Sequence, residues 1–158
     1  QYIPADECKR RWMMLKLTCL TCSQINRIPA DKLSLKPRCG VCGAELLSGK
    51  VSELDEATHA KATRQDELPI LVDYWAPWCG PCRAMTPEFA KAAAAAGPTA
   101  RFAKINTEEF ASLSQRLGIR GIPLLILYRN GVEIGRLPGA LPASDILGFL
   151  RNHVGAPR

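Results

Sequence analysis

The sequence predicts an α/β protein in which helices flank a mixed central sheet, with a small cysteine-stapled module at the N-terminal side. Two observations lead to this. Downstream of Pro69, strand and helix patterns alternate in the order β-α-β-α-β-β-α, which is typical of a sheet covered by helices. Upstream, residues 15–50 are too few to bury an adequate core without a staple, and they contain four cysteines.

The composition suits one ordinary domain with a small addition. Of 158 residues, 47% are hydrophobic and 23% are charged, which argues against general disorder. We therefore expect an N-terminal extension over residues 1–14, a cysteine module over residues 15–50 and a sheet region over residues 51–158. There is no apolar run long enough for a membrane span and no recognisable signal segment, so we expect a cytoplasmic protein with no membrane partner. We also expect a monomer.

The elements of the sheet region follow from periodicity and from residues that start or stop helices. Asp55 is placed to cap the first helix, Gly97 and Gly118 to end the next two, and Asn130-Gly131 to form the hairpin turn. We expect the first two or three strands to be parallel, and we expect His59 and His153 on solvated helix surfaces. The predicted elements are a helix after Asp55, a strand at 70–76, a helix at 81–97, a strand at 100–106, a helix at 108–118, a hairpin at 123–139 and a helix at 143–154.

Six of the seven cysteines form three C-x-x-C pairs, with Cys8 left over. Such pairs suggest metal binding or redox chemistry rather than a disulfide framework. The first two pairs have the spacing C-x₂-C-x₁₆-C-x₂-C, which matches tetrahedral zinc ligation by two knuckles in a zinc-ribbon-like module. Two structural disulfides, a redox pair or an iron centre remain alternatives. The predicted zinc ligands are Cys19, Cys22, Cys39 and Cys42.

The N-terminal part of the chain is basic, since residues 1–50 carry nine lysines and arginines against four acidic residues. Such a surplus can indicate nucleic-acid binding. A zinc ion with four thiolates carries a net charge of −2, however, and nearby cations would offset it. We prefer this explanation, so a nucleic-acid partner is not expected. Loss of the metal should unfold residues 15–50 and spare the rest. The flanking cations are Lys16, Arg27, Lys36 and Arg38.

The third pair, Cys79 and Cys82, stands at a predicted strand-to-helix junction, with Pro81 near the first helical position. Free N–H groups and the positive end of the helix dipole favour a thiolate there. We expect Cys79 at the exposed tip with a lowered pKa, and Cys82 shielded. Cys79 would attack a substrate disulfide, and Cys82 would then resolve the mixed disulfide. A second zinc half-site is the alternative, but this pair has no partner pair.

Asp73 interrupts an otherwise apolar strand six residues before Cys79. A buried lone carboxylate is costly unless it is paired or neutral. We expect Asp73 to lie beneath the redox pair and to move protons to and from Cys82 through water. Lys104 in the neighbouring strand would moderate its charge. The alternative is an edge position that faces water.

A contact surface for substrates is predicted beside the redox pair. Pro123 begins a strand, which is an odd place for proline unless the Ile122–Pro123 bond is cis. That geometry would turn the Ile122 backbone outward, where a substrate peptide could pair with it like an added strand. The predicted substrate-binding residues are Trp78, Gly80, Pro81, Ile122, Pro123 and Gly139.

Four stretches resemble the thioredoxin family in order: "VDYWAPWCGPCRAMTP", "FAKINTEE", "LGIRGIPLLILYRNG" and "LPGALP". The front piece, "LTCLTCSQINRIP…CGVCG", resembles the zinc module of the bacterial thioredoxin 2 type. The resemblance implies the thioredoxin fold and a protein-disulfide reductase that acts on disulfide-containing proteins. It implies that thioredoxin reductase supplies electrons from NADPH, and that no organic cofactor is bound to this chain.

The resemblance assigns the nucleophile to Cys79, the resolving thiol to Cys82 and the buried acid to Asp73, with Pro123 cis. Leu124 departs from the family, because many members have threonine there. Two other functions stay open. The chain could be a binding module for a protein or nucleic acid carried on a redox scaffold. It could also be a redox switch in which oxidation of the first four cysteines ejects zinc.

Overall fold

The computed structural model describes residues 13–154 of the chain. Most of the expected N-terminal extension, with Cys8, lies outside the described residues. Seven strands and four α-helices are present in the described part. They are β1 (Met14–Thr18), β2 (Ile25–Pro29), β3 (Val51–Glu53), α1 (Glu56–Gln65), β4 (Ile70–Trp75), α2 (Gly80–Ala96), β5 (Arg101–Asn106), α3 (Ala111–Leu117), β6 (Leu124–Arg129), β7 (Val132–Pro138) and α4 (Ala143–Val154).

The sheet region contains a five-stranded mixed sheet with the order β3-β5-β4-β6-β7. β4 and β5, the first two predicted strands, are parallel as expected; β3, which was not predicted, is also parallel to β5, and β6 and β7 are antiparallel to their neighbours. Alternate residues of β4, β5 and β6 contribute to two separate cores, because successive side chains point to opposite faces of a sheet. One core lies under α2 and α4, and the other lies under α1 and α3. The central strand is therefore β4, which is covered on both faces.

Most element predictions are confirmed. Asp55 caps α1 by accepting a hydrogen bond from the Thr58 amide at 2.7 Å. Gly118 ends α3 with a left-handed φ of 65°. Asn130 and Gly131 form the hairpin turn with φ angles of 55° and 78°, a combination that favours the Asn-Gly pair.

Two predictions about the sheet region are wrong. The helix expected from residue 108 begins at Ala111, because the Asn106 side-chain oxygen accepts the Glu108 amide at 2.9 Å and holds a turn there. His59 is only 4% exposed rather than solvated. Its Nε2 lies 2.6 Å from the Tyr74 hydroxyl, and burial is the main cause that lowers its pKa to about 4.

The cysteine module is a two-stranded antiparallel hairpin, β1-β2, followed by a second cysteine turn that resembles the first. Its small core contains Leu17, Cys19, Cys39 and Leu46, and it also contains Leu68 from the sheet region. The module thus packs on the segment that leads into β4. Cys79 follows the other end of β4, so the module and the third cysteine pair lie at opposite ends of the central strand.

Among residues 13–154, no helix combines the length and the apolar character that crossing a membrane requires.

Candidate redox site and candidate metal centre

The third cysteine pair occupies the N-terminus of α2. Cys79 is the residue that caps this helix, Pro81 is in the first turn, and a disulfide joins Cys79 to Cys82 with their Cα atoms 5.3 Å apart. The Cys82 amide donates a hydrogen bond to Cys79 Sγ at 3.2 Å. A negative charge on this sulfur would be stabilised by that N–H group and by the positive end of the helix dipole. The helix therefore favours ionisation of Cys79.

The exposure of the two cysteines differs less than the sequence led us to expect. Cys79 is 4% exposed and Cys82 is 2% exposed. Trp75 and Ile122 pack against the pair, and Cys79 Sγ is 3.8 Å from the Ile122 carbonyl oxygen. In this disulfide form Cys79 is thus not an exposed tip. Trp78 beside it is 67% exposed, so the protruding group at the site is aromatic.

Asp73 lies on the central strand and not at an edge that faces water. It is 5% exposed, and its Oδ1 has no hydrogen-bond partner in the described part of the chain. The strand alternation places Asp73 on the same face as Leu71, which packs under α2, the helix that carries Cys82. Burial is the main cause that raises the pKa of Asp73, to about 7, while the charge of Lys104 opposes the increase. Asp73 can therefore exchange a proton near neutral pH.

Lys104 stands beside Asp73 in the paired register of β4 and β5. Its Nζ lies 4.8 Å from the centre of the Trp75 ring, which packs against the redox pair. An ammonium group over an aromatic face is attracted by the ring electrons. Lys104 therefore lies beside Asp73 and also beside Trp75, the ring that packs against the redox pair.

The Ile122–Pro123 peptide bond is cis, as expected. The Gly139 amide donates to the Pro123 carbonyl at 3.0 Å, which joins two of the predicted contact residues. Gly139 has a φ of 95°, a conformation that glycine adopts readily. Of the predicted contact residues, Ile122 packs against the redox pair, and Gly139 is connected to its neighbour Pro123 by this hydrogen bond.

Arg83 is a site residue that was not predicted from the sequence. Its Nη1 donates to the Pro77 carbonyl at 2.7 Å and so ties α2 to the loop that carries Trp78. The position directly after the second cysteine was the available signal. It was a weak one, because an exposed arginine is common on the surface of any helix.

The other four cysteines form a compact cluster. All four Sγ atoms lie within 4.8 Å of one another, with Cys19 to Cys42 at 3.6 Å and Cys22 to Cys39 at 3.7 Å. A tetrahedral zinc site with Zn–S bonds of about 2.3 Å has sulfurs about 3.8 Å apart, so the cluster fits such an ion. All four are free thiols, so the structure does not contain the alternative of two disulfides.

The two cysteine turns have the same backbone hydrogen bond and the same left-handed residue after the pair. The Ser23 amide donates to the Cys19 carbonyl at 2.8 Å, and the Gly43 amide donates to the Cys39 carbonyl at 3.0 Å. Ser23 and Gly43, which directly follow each pair, have φ angles of 68° and 77°. A glycine therefore occupies this position in the second turn, and a serine adopts the same conformation in the first.

The sulfur of Cys39 accepts two hydrogen bonds from nitrogen donors. The Val41 amide donates to its sulfur at 3.4 Å, and the Asn26 side-chain amide donates at 3.5 Å. Backbone hydrogen bonding from Cys42 is the largest cause that lowers the pKa of Cys39 to about 6, followed by these two donors. Such donors stabilise a thiolate, which is the form that binds a metal.

Comparisons with known proteins cover both parts of the chain. The family model described as Thioredoxin matches residues 50–152, and the model described as Thioredoxin 2, N-terminal, a zinc ribbon, matches residues 18–44. Thioredoxin C-3 of Corynebacterium nephridii is 39% identical over 134 residues, which cover 85% of this chain and 92% of that protein. Thioredoxin 1 of Synechococcus elongatus is 34% identical over 99 residues, which cover 63% of this chain and 92% of that protein.

Solved structures give the same result for the fold. The crystal structure of a Malassezia sympodialis thioredoxin superposes with a TM-score of 0.61 at 28% identity, and the match covers 68% of this chain and 94% of that one. The match to Thioredoxin C-3, over 134 residues, is longer than the range 50–152 that the Thioredoxin family model covers. The chain belongs to the thioredoxin family of thiol-disulfide oxidoreductases and combines the thioredoxin fold with an N-terminal zinc-ribbon module.

Proposed function

We propose that this chain is a protein-disulfide reductase whose working group is the Cys79–Cys82 pair. The observation that carries the proposal is the placement of that pair. It caps the N-terminus of α2, beside the exposed Trp78 and over the face of β4 that contains the buried Asp73. This combination offers a stabilised thiolate, a proton acceptor and a protruding contact surface in one place.

The reduction proceeds in two exchanges. The Cys79 thiolate attacks one sulfur of a substrate disulfide, so that bond breaks, a mixed disulfide forms and the released substrate sulfur takes up a proton. Cys82 then loses its proton and attacks Cys79 Sγ. The mixed disulfide breaks, the second substrate thiol leaves, and Cys79 and Cys82 become a disulfide. The substrate gains two electrons and two protons.

Asp73 is proposed as the group that accepts the Cys82 proton, through water. A base works best when its pKa is near the operating pH, and the pKa of Asp73 is about 7. Lys104 lies next to it and favours the ionised form of Asp73, which is the form that accepts the proton. Both residues act on the second exchange, because Cys82 and not Cys79 must be deprotonated at that stage.

The substrate would bind as an extended peptide along the surface beside the pair. Backbone pairing at Ile122, next to Pro123, would hold the peptide, and Trp78 would add apolar contact. Gly80 and Pro81 in the first turn of α2, and Gly139 on the other side, leave room for its backbone. We further propose that a thioredoxin reductase recharges the pair with NADPH electrons, and that the chain works as a monomer in the cytoplasm.

We propose that the four clustered cysteines are the ligands of one zinc ion. They are Cys19, Cys22, Cys39 and Cys42. With four protein ligands no open position remains, so the ion would be structural. When bound, it would stabilise the fold of residues 15–50 and take no part in disulfide exchange.

A redox switch at this cluster is the second candidate. The closest sulfurs belong to different turns, Cys19 with Cys42 and Cys22 with Cys39, so oxidation would link the two turns rather than each pair within itself. Zinc release measured against added peroxide tests this candidate. Retention of zinc while the cysteines stay reduced would exclude it.

The insulin-reduction assay tests the main proposal. Cys79→Ser should reduce turnover to the uncatalysed background, because the attacking thiolate is gone. Cys8→Ser is the matched control, since it removes a cysteine outside the three pairs and should leave turnover unchanged. Full activity of Cys79→Ser would refute the proposal.

A further inference from the structure

A buried arginine of the sheet region reaches the backbone next to a metal-site cysteine. Arg101 is the first residue of β5 and is 4% exposed. Its Nη2 donates to the Thr18 carbonyl at 2.5 Å, and its Nη1 donates to Asp66 Oδ2 at 2.5 Å. Because Thr18 directly precedes Cys19, this guanidinium group binds the chain where the first cysteine turn begins.

Asp66 holds the same residue from the other side. Its Oδ1 accepts a hydrogen bond from the Thr18 amide at 2.8 Å, and the residue is 1% exposed. Asp66 is itself fixed, because its amide donates to the Ala62 carbonyl at 3.1 Å and its carbonyl accepts the Asn130 amide at 3.0 Å. One ion pair therefore satisfies both backbone polar groups of Thr18 from a rigid support in the sheet region.

The surroundings of this ion pair exclude water. Leu17 and Thr18 are 0% exposed, Cys19 is 1% exposed, and Leu68 of the sheet region packs in the same small core. Hydrogen bonds are stronger in such a dry environment, and an unpaired charge there is costly. The contact between module and sheet region is thus specific as well as apolar.

Arg101 differs from the cations expected near the cluster. Arg38 has a side chain that is 64% exposed and donates to the Gly43 carbonyl at 3.1 Å, while Lys16 Nζ contacts Gln65. Exposed cations are screened by water and contribute little. Arg101, by contrast, is 4% exposed and contacts the backbone directly before Cys19. Because Asp66 already balances the charge of Arg101, this arginine affects the cysteine turn through its hydrogen bond to the Thr18 carbonyl and not through a free charge.

We propose that Arg101 and Asp66 are outer-sphere positioning residues of the metal centre: they fix the Thr18–Cys19 backbone from the sheet region and so set the affinity for zinc. The inference rests on the zinc assignment made above. Residues around the direct ligands commonly have this role, because they hold the ligand in the geometry that the ion needs.

The contact also implies that metal binding and the stability of the sheet region are linked. If Arg101 and Asp66 strengthen zinc binding, zinc must strengthen the docking that involves them, by the same free energy. Metal removal should then weaken the start of β4 and β5 and not only residues 15–50. This modifies the expectation, drawn from the sequence, that the rest of the chain is spared.

Zinc affinity measured by competition with a chromogenic chelator tests the inference. Arg101→Lys keeps the charge, but one ammonium group cannot serve both Asp66 and Thr18 in the same fork geometry. The double variant Arg101→Met with Asp66→Asn removes the pair without leaving a lone buried charge. We expect both to bind zinc about 10- to 100-fold more weakly. Arg38→Met is the matched control, with a change below about fivefold.

The outcomes separate the inference from the assignment on which it rests. If the unaltered chain binds no zinc, the zinc assignment fails. If it binds zinc and the Arg101 variants bind equally tightly, the inference alone is overturned. Insulin reduction by the zinc-loaded variants should persist, which shows that the redox site is intact.

A measurement on the unaltered chain keeps the inference testable even where a variant does not fold. Hydrogen exchange is compared between the zinc-loaded and the chelator-treated protein. The amides of Thr18, Asp66 and Arg101 should lose protection when zinc is removed. Unchanged protection of Asp66 and Arg101 would overturn the linkage.

Discussion

The cysteine module and the redox site use the same C-x-x-C spacing for different chemistry. In the module, a residue with left-handed backbone follows each pair, and the two turns bring four sulfurs within 4.8 Å of one another. At the redox site, a helix begins inside the pair, and the two sulfurs have only each other. The backbone conformation within and directly after the pair, and not the spacing, therefore distinguishes the candidate metal site from the candidate redox site.

Removing the second cysteine from each kind of pair tests this contrast most severely. Cys82→Ser should trap the mixed disulfide with substrate and reduce insulin turnover to below about a thousandth of the original rate. Cys22→Ser has the same position in its own pair, but it should lose zinc while largely retaining turnover. Zinc content and turnover, measured on both variants, check this. If Cys22→Ser were as inactive as Cys82→Ser, the two sites would not be separable.

A second test uses Asp73, the buried acid near the redox pair, whose Oδ1 has no hydrogen-bond partner among the described residues. The pKa of Asp73 is raised to about 7 in the folded protein, whereas it is near 3.9 when unfolded. The folded state therefore holds an extra proton between these values, so stability falls as the pH rises from about 4 to 7. Asp73→Asn should remove this decline and stabilise the oxidised protein at pH 8 by a few kcal/mol, while slowing reduction.

Thermal or urea unfolding at pH 4 and pH 8 measures the stability change. Asp145→Asn, on the exposed surface of α4, is the control and should leave the pH dependence unchanged. An unaltered slope in Asp73→Asn would mean that Asp73 does not hold the proton.

A milder change is expected at the turn after the second metal-site pair. Gly43→Ala should lower stability by about 1 kcal/mol, because φ is 77° there and a Cβ would meet no neighbour, so only the backbone preference is lost. Gly40→Ala is the control inside the same pair. Its Cβ would make one ordinary contact at 3.8 Å and its φ is not positive, so little change is expected. Thermal unfolding of the zinc-loaded protein compares the two, and equal losses would contradict the backbone explanation.

Much of this architecture could be predicted because its signals are local. The spacing of the cysteines, the apolar run before Asp73 and the Asn130-Gly131 turn each depend on neighbours in the chain. The features that were missed depend on distant partners. β3 has only three residues and exists through its pairing with β5. His59 is buried because its helix packs over Tyr74, which hydrogen-bonds to it from the central strand.

The role of Arg101 near the candidate metal centre also could not be predicted, because its partners are distant in the chain. In the sequence it is a charged residue at the start of an apolar strand, and its partners Thr18 and Asp66 are 83 and 35 positions away. A charged residue at the start of an apolar strand did indicate a buried ion pair. It could not identify the partner, because the docking of the module on β4 and β5 is a property of the folded chain.

The placement of the two cysteine groups at opposite ends of β4 has a consequence for repair of the chain. β4 has six residues and is therefore about 20 Å long; the module packs on Leu68 before its start, and Cys79 follows its end. If oxidation links Cys19 to Cys42, we therefore expect the Cys79–Cys82 pair of another copy to reduce this disulfide. Recovery of zinc binding after oxidation would then become faster as the protein concentration rises.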